Sequence, residues 1–374
     1  MRARRALLFV AIAAVQFAML EAALRVWGHS EAAPAFQALF IPDPVIGYRL
    51  RPNARTRFVT AEFDTTIAVN AQGVRDDREI GPKPADERRI VVLGDSLVLS
   101  VQVEARQTFC QLLEDRLNHA ESARPDGPRV HYRVINAGVQ GYGPVEELLF
   151  YREIARAFEP DLVIETIFVG NDAEDAVSSA WRLHAAPSSE PSARALPGTV
   201  SQSLVSRVRR LVRNTMVLQV FRLRVVSVTD RLSSWVSPPE APLQTYAAKP
   251  AHRIGEGLRI SRECVEAIAS DAAGIHARTM VLLIPARFQV DEADYGHLRE
   301  AVTGAGGQLV RDAGSERFNE ALAETGLPRL DALPALRAAL PGPDVFFQRT
   351  VHLTPRGHEI VAAALYEFIR RQGL

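Results

Sequence analysis

The stretch VVLGDSLVLS, residues 91–100, runs an apolar segment straight into Gly94-Asp95-Ser96 and then back into apolar residues. The first half reads as a buried strand, and it gives way to a small residue, a carboxylate and a hydroxyl. Further along, HYRVINAG (131–138) and DLVIETIFVGN (161–171) repeat the form, and TMVLLIPA (279–286) gives a fourth strand. Between them lie stretches with helical signals. A helix is expected from Thr108, with Gln111 as capping-box partner, to about Leu117, and PVEELLFYREIARA (144–157) reads as a helix with Pro144 in its first turn. Further helices are expected near 257–273, near 316–325 and after Pro355, with a short strand near 328–330. Near-continuous apolar strands alternating with helices predict an α/β fold with a parallel central sheet covered on both faces.

The chain has 374 residues, 47% hydrophobic and 24% charged, which is an ordinary globular balance. Forty-four basic and forty-four acidic side chains leave no net field, so nucleic acid is not expected as a partner. Cys110 and Cys264 stand far apart on apolar helix faces and read as buried thiols. Arg2, Arg4 and Arg5 precede an apolar run from Ala6 to Leu20 broken only by Gln16. That order predicts a signal anchor over residues 1–28 with a cytoplasmic N-terminus, so membrane contact is expected through this N-terminal helix. The remainder then stands in the periplasm or outside the cell, with secretion after cleavage as the alternative. Residues 29–84 read as an irregular β-rich lead-in, and 85–374 as the main domain. Regularity lapses over about 173–250, an expected helical insertion that holds the basic stretch LVSRVRRLVRNTMVLQVFRLRVVSV (204–228).

Ligands of an open parallel sheet bind outside the carboxyl ends of its strands. Those ends supply Asp95-Ser96, Gly138 and Asn171, and His352 stands just before a helix begun at Pro355. A serine needs a base to lose its proton, and a neutral imidazole suits that task. Ser96 is therefore the candidate nucleophile and His352 the candidate general base, later acid. The N–H groups of Ser96 and Gly138 with the Asn171 amide are candidate oxyanion donors, each worth about 2.7–4 kcal/mol where such a donor has been removed. Asp95 is read as bracing the turn, His358 as structural, and Arg349 as either solvated or binding an anionic substrate. HExxH, paired CxxC and GxxxxGK[ST] spacings do not occur, so no metal and no cofactor is expected.

From about residue 85 onward the motifs resemble the SGNH, or GDSL-type, hydrolase family. GDSL with Ser96, NAGVQGYG with Gly138, GND with Asn171 and HLTPRGH with His352 are similar to that family's four blocks, in the same order. The N-terminal anchor with IGYRLRPN and NAQGVR is similar to membrane-anchored bacterial members. The resemblance implies a flavodoxin-like three-layer α/β/α sandwich and metal-free hydrolysis of a small-molecule, lipid or carbohydrate ester through an acyl-serine. The alternatives it leaves are an O-acyltransferase to extracellular polysaccharide and a non-catalytic domain that binds glycan or protein. One departure stands out. The family usually has aspartate three residues before the histidine, and this chain has Arg349 in QRTVH. Losing the orienting aspartate of a serine triad costs about 10⁴-fold in studied cases. Three arrangements remain: Asp344 or another carboxylate substitutes, a backbone carbonyl holds the ring of a Ser–His dyad, or the site is weak or inactive.

Overall fold

The computed structural model describes residues 38–123, 129–184, 243–304, 306–342 and 344–373. The expected signal anchor and the basic stretch at 204–228 lie outside the described residues. Among the described residues, no helix is long and apolar enough to cross a membrane.

The main sheet consists of β5 (Glu87–Gly94), β6 (His131–Gly138), β7 (Leu162–Phe168), β8 (Arg278–Ile284) and β9 (Arg329–Asp331), in the spatial order β6-β5-β7-β8-β9. All four pairings are parallel. Numbered within the sheet, the order is 2-1-3-4-5, the flavodoxin-like arrangement whose ligand crevice opens where the strand order reverses. β7 is buried along its whole length, as a central strand covered on both faces must be.

Helices fill both layers. α1 (Ser96–Leu99) and α2 (Phe109–Ser122) come after β5, α3 (Pro144–Glu153) after β6, and α4 (Asp172–Ser179) after β7. After the undescribed interval come α5 (His252–Ala273), then α6 (Arg287–Val290) and α7 (Glu292–Gly304) beyond β8, and α8 (Ala313–Ala323) before β9. α9 (Leu333–Ala338) and α10 (Pro355–Arg371) close the chain. The pattern in the sequence misses the short α1, α4 and α6 as well as α7 and α9. Elsewhere α2 begins as expected, with Thr108 accepting the N–H of Gln111, but Gln111 turns its own amide to Glu114 and Asp115 rather than back to the cap. The capping box is therefore only half formed. Cys110 and Cys264 are free and buried.

The lead-in carries two antiparallel hairpins, β1 (Phe40–Asp43) with β2 (Gly47–Leu50) and β3 (Arg55–Val59) with β4 (Asp64–Ala68). It is not an appendage. Leu39, Ile46, Leu50 and Ile67 are fully buried in one apolar cluster with Val91, Leu93 and Ile135 of the main sheet. Burial on that scale, about 25 cal/mol per Å² of apolar surface, fixes the hairpins against the domain and brings their polar groups to its site.

Candidate active site

Because β5, β6, β7 and β8 are parallel, their carboxyl ends share one edge of the sheet. Ser96 opens α1 at the end of β5, Gly138 ends β6, and Asn171 stands just before α4 and just beyond β7. The histidine loop is tied to the same edge: Arg287, after β8, donates from Nη1 to the carbonyls of Phe347 (3.0 Å) and Gln348 (2.6 Å). The loop also closes on itself, with Phe347 donating its N–H to the His352 carbonyl at 2.9 Å.

The turn at Gly94-Asp95-Ser96 has a local cause. Asp95 accepts the N–H of Leu97 at 2.8 Å and so caps α1, as expected of a residue that braces the turn. The same carboxylate lies 3.5 Å from Ser96 Oγ. Burial raises the Asp95 pKa to about 6, with the nearby Asp175 charge adding to it. Asp175 accepts from Asn171 Nδ2 at 2.8 Å, so the strand-end groups around Ser96 and Asn171 form one electrostatic neighbourhood.

Gly138 takes a different part from the expected one. Its N–H donates to Asn136 Oδ1 at 3.1 Å, and a Cβ here would collide with the backbone of Val98 and Leu99. The glycine thus lets α1 sit against β6, and its donor is already spent. Three residues on, Gly141 is half-buried at φ +72°, and its N–H donates to no group among the described residues. The loop that holds it is fixed from the lead-in: Tyr48 donates to the Gln140 carbonyl at 2.7 Å, and Tyr142 donates to the Tyr48 carbonyl.

His352 is held neutral. Both ring nitrogens are shielded from solvent without a hydrogen-bond partner, and burial lowers its pKa to about 4. No hydrogen bond joins it to Ser96, and catalytic hydrogen bonds often tighten only when substrate is present. Asp344 does not orient the ring. It is exposed, its Oδ2 accepts from Gln348 Nε2 at 2.6 Å, and its carbonyl accepts from Thr354. Because residues 346 and 353 pair across the loop, Asp344 is held outside the turn that carries His352. Nor does a backbone carbonyl meet the ring nitrogens. His358 is structural as expected, its Nδ1 accepting the Phe109 N–H at 3.2 Å and its ring stacked on Phe109.

Two supporting residues escape the sequence reading. Glu62, in the turn between β3 and β4, accepts the N–H groups of Gln348 (2.9 Å) and Arg349 (3.1 Å), while Phe63 packs edge-on against Phe347. A carboxylate does reach the position three before the histidine, but from the lead-in and onto the backbone. Arg75 is buried and donates to the carbonyls of Leu99 (2.6 Å), Ser100 (2.5 Å) and Val103 (2.5 Å), closing the far end of α1. Burial lowers its pKa only to about 10, so it stays charged at neutral pH and complements the carbonyl end of the helix. Arg75→Met is expected to strand these buried carbonyls and cost about 3 kcal/mol or more, with Arg75→Lys recovering part. Urea unfolding midpoints of the three proteins check this. Among the described residues no group of His, Cys, Asp and Glu could hold a metal ion.

No family model and no curated protein matches the chain. Solved structures similar to it include TesA, at 12% identity over 76% of this chain and 99% of that one, with a TM-score of 0.40. A catalytic mutant of Axe2, an acetylxylan esterase from Geobacillus stearothermophilus, aligns at 12% identity over 75% of this chain and 94% of its own, TM-score 0.39. The lipase/acylhydrolase from Enterococcus faecalis aligns at 15% over 76% and 96%, TM-score 0.39. These are likenesses of chain course; the side chains carry the chemistry.

Proposed function

We propose that the chain is a serine ester hydrolase of the SGNH type. The observation that carries this reading is that a capped serine, a strand-end asparagine and a neutral, unpartnered histidine stand at one edge of a parallel sheet, the histidine loop pinned there by Arg287. In the reaction, Ser96 Oγ forms a bond to the ester carbon as its proton passes to His352. The carbonyl oxygen gains the negative charge and is met by the Ser96 N–H, the Asn171 amide and a backbone N–H of the loop after β6. We assign that last donor to Gly141, since the Gly138 N–H is taken by Asn136. Collapse breaks the ester C–O bond, and His352 returns the proton to the leaving alkoxide. Water then repeats the cycle on the acyl-serine. Preorganised donors of this kind supply the largest share of such catalysis, which suits a site whose imidazole lacks a carboxylate partner.

The reading includes export. The arginine-led apolar run at residues 1–28 anchors the chain in the membrane, and the hydrolase works outside the cytoplasm on O-acyl groups of carbohydrate or lipid.

A fluorophosphonate probe is expected to label the protein at one site, on the peptide that contains Ser96. Ser96→Ala should lose the label. Equal labelling of parent and variant removes Ser96 from its role.

A further inference from the structure

Beside Asn171 the sheet edge opens into a cavity of about 660 Å³. Ser96 and His352 do not line it. It begins at Asn171 and at Thr350 and Val351, the residues just before His352, and extends away under α7. Its size lies within the range of sites that enclose a small organic ligand.

The lining is mainly apolar, with Phe168, Tyr246, Phe288, Leu298 and Ala301 among its walls. Tyr246 contributes a ring face rather than a donor, because its hydroxyl donates to Gln289 Oε1 at 3.0 Å and its ring packs edge-on against Phe288. Of the two lining arginines, Arg287 is spent: it pairs with Asp294 and holds the histidine loop. Arg349 is not. Its backbone N–H meets Glu62, but its guanidinium has no hydrogen bond or ion pair among the described residues, and the residue is exposed at the cavity wall. An apolar chamber that starts at a proposed oxyanion donor and carries one uncommitted planar cation at its wall matches a specific ligand chemistry.

Resting on the hydrolase reading, the geometry points to an amphiphilic acyl ester as substrate, with a medium-length apolar acyl group in this cavity and an anionic group on that acyl group, carboxylate or phosphate, paired with Arg349. The departure from the usual aspartate then has a purpose. It exchanges a partner for the imidazole for a handle on the substrate.

Burying a methylene is worth about threefold in kcat/KM, so p-nitrophenyl esters should improve stepwise from acetyl to octanoyl, by roughly 10²- to 10³-fold in all. The p-nitrophenyl monoester of suberic acid, an eight-carbon chain ending in carboxylate, should exceed octanoate by about fivefold or more. Ala301→Trp, on α7 at the cavity wall, should flatten the chain-length series. Arg349→Gln should abolish the suberate advantage. A flat series in the parent, or a steep one surviving Ala301→Trp, overturns the cavity assignment. A suberate advantage that is missing, or that persists in Arg349→Gln, overturns the anionic half. Octanoate binding by titration calorimetry reads the cavity without any chemistry: binding lost in Ala301→Trp supports the site even in a protein that no fluorophosphonate labels, a result that would sink the hydrolase reading alone.

Discussion

Ser96→Ala and His352→Gln are each expected to lower ester kcat/KM by roughly 10⁴- to 10⁶-fold, and the double variant should fall little further. The two groups are expected to act as one unit, the imidazole taking the proton that the serine gives up. Steady-state kinetics on the three variants, with circular dichroism to show that each is folded, make the check. Additive losses would show that the residues act separately, and a drop of less than tenfold in Ser96→Ala would end the covalent reading. The pH profile adds a signature that belongs to this site. The working base is neutral His352, whose pKa burial lowers to about 4. A lowered value extends the neutral form downward, so kcat/KM should hold from neutral pH to about 5 and fall only as pH passes through about 4. An acid limb at 6.5, the ordinary imidazole value, would mean that the ring is solvated when it works.

A pH-dependent effect on stability is expected behind the site. Glu147 of α3 and Glu165 of β7 are buried beside one another, and neither carboxylate has a hydrogen-bond donor among the described residues. Two such groups coexist by sharing a proton. Burial raises Glu165 from its ordinary value of 4.5 to about 7 and pushes Glu147 well above the carboxylate range. Proton counting sets the sign. Between pH 4.5 and about 7 the folded chain keeps on this pair a proton that the unfolded chain has released, so the pair's contribution to stability falls as pH rises through that window. Glu165→Gln removes the titration while its amide can donate to Glu147. At 1.36 kcal/mol per pKa unit the variant should be more stable than the parent by about 3 kcal/mol at pH 8, with the two nearly equal at pH 5. Chemical denaturation at both pH values measures this. A variant no more stable than the parent at pH 8 would show that the pair is hydrated.

Much of the scaffold could be read directly from the chain, because it rests on short-range periodicity. The second strand falls at His131–Gly138 as its pattern predicts, and the ends of the others lie within about four residues of expectation. α7 was hidden because its face is mostly solvated, with only Val302 buried, so no apolar stripe marks it. α9 is six residues long and begins beside a proline, too short for a period to show. The placing of Ser96 and Asn171 at one edge was legible for a related reason: both follow strand ends of a parallel sheet, and topology is set by the alternation of strands and helices; His352 follows no strand of the sheet and owes its place to a loop.

Tertiary structure alone decided which groups serve those residues. Whether Gly138 offers its N–H depends on where the Asn136 side chain turns, and whether Asp344 reaches the imidazole depends on how residues 344–354 close on themselves. Glu62 meets the histidine loop from 286 positions away, and Arg75 reaches the end of the nucleophile's helix from the loop after β4, in a lead-in that looked like a mere approach to the domain. No local pattern encodes such meetings. They are set when apolar burial docks the lead-in against the sheet, and the polar contacts at the site depend on where that docking leaves the backbone.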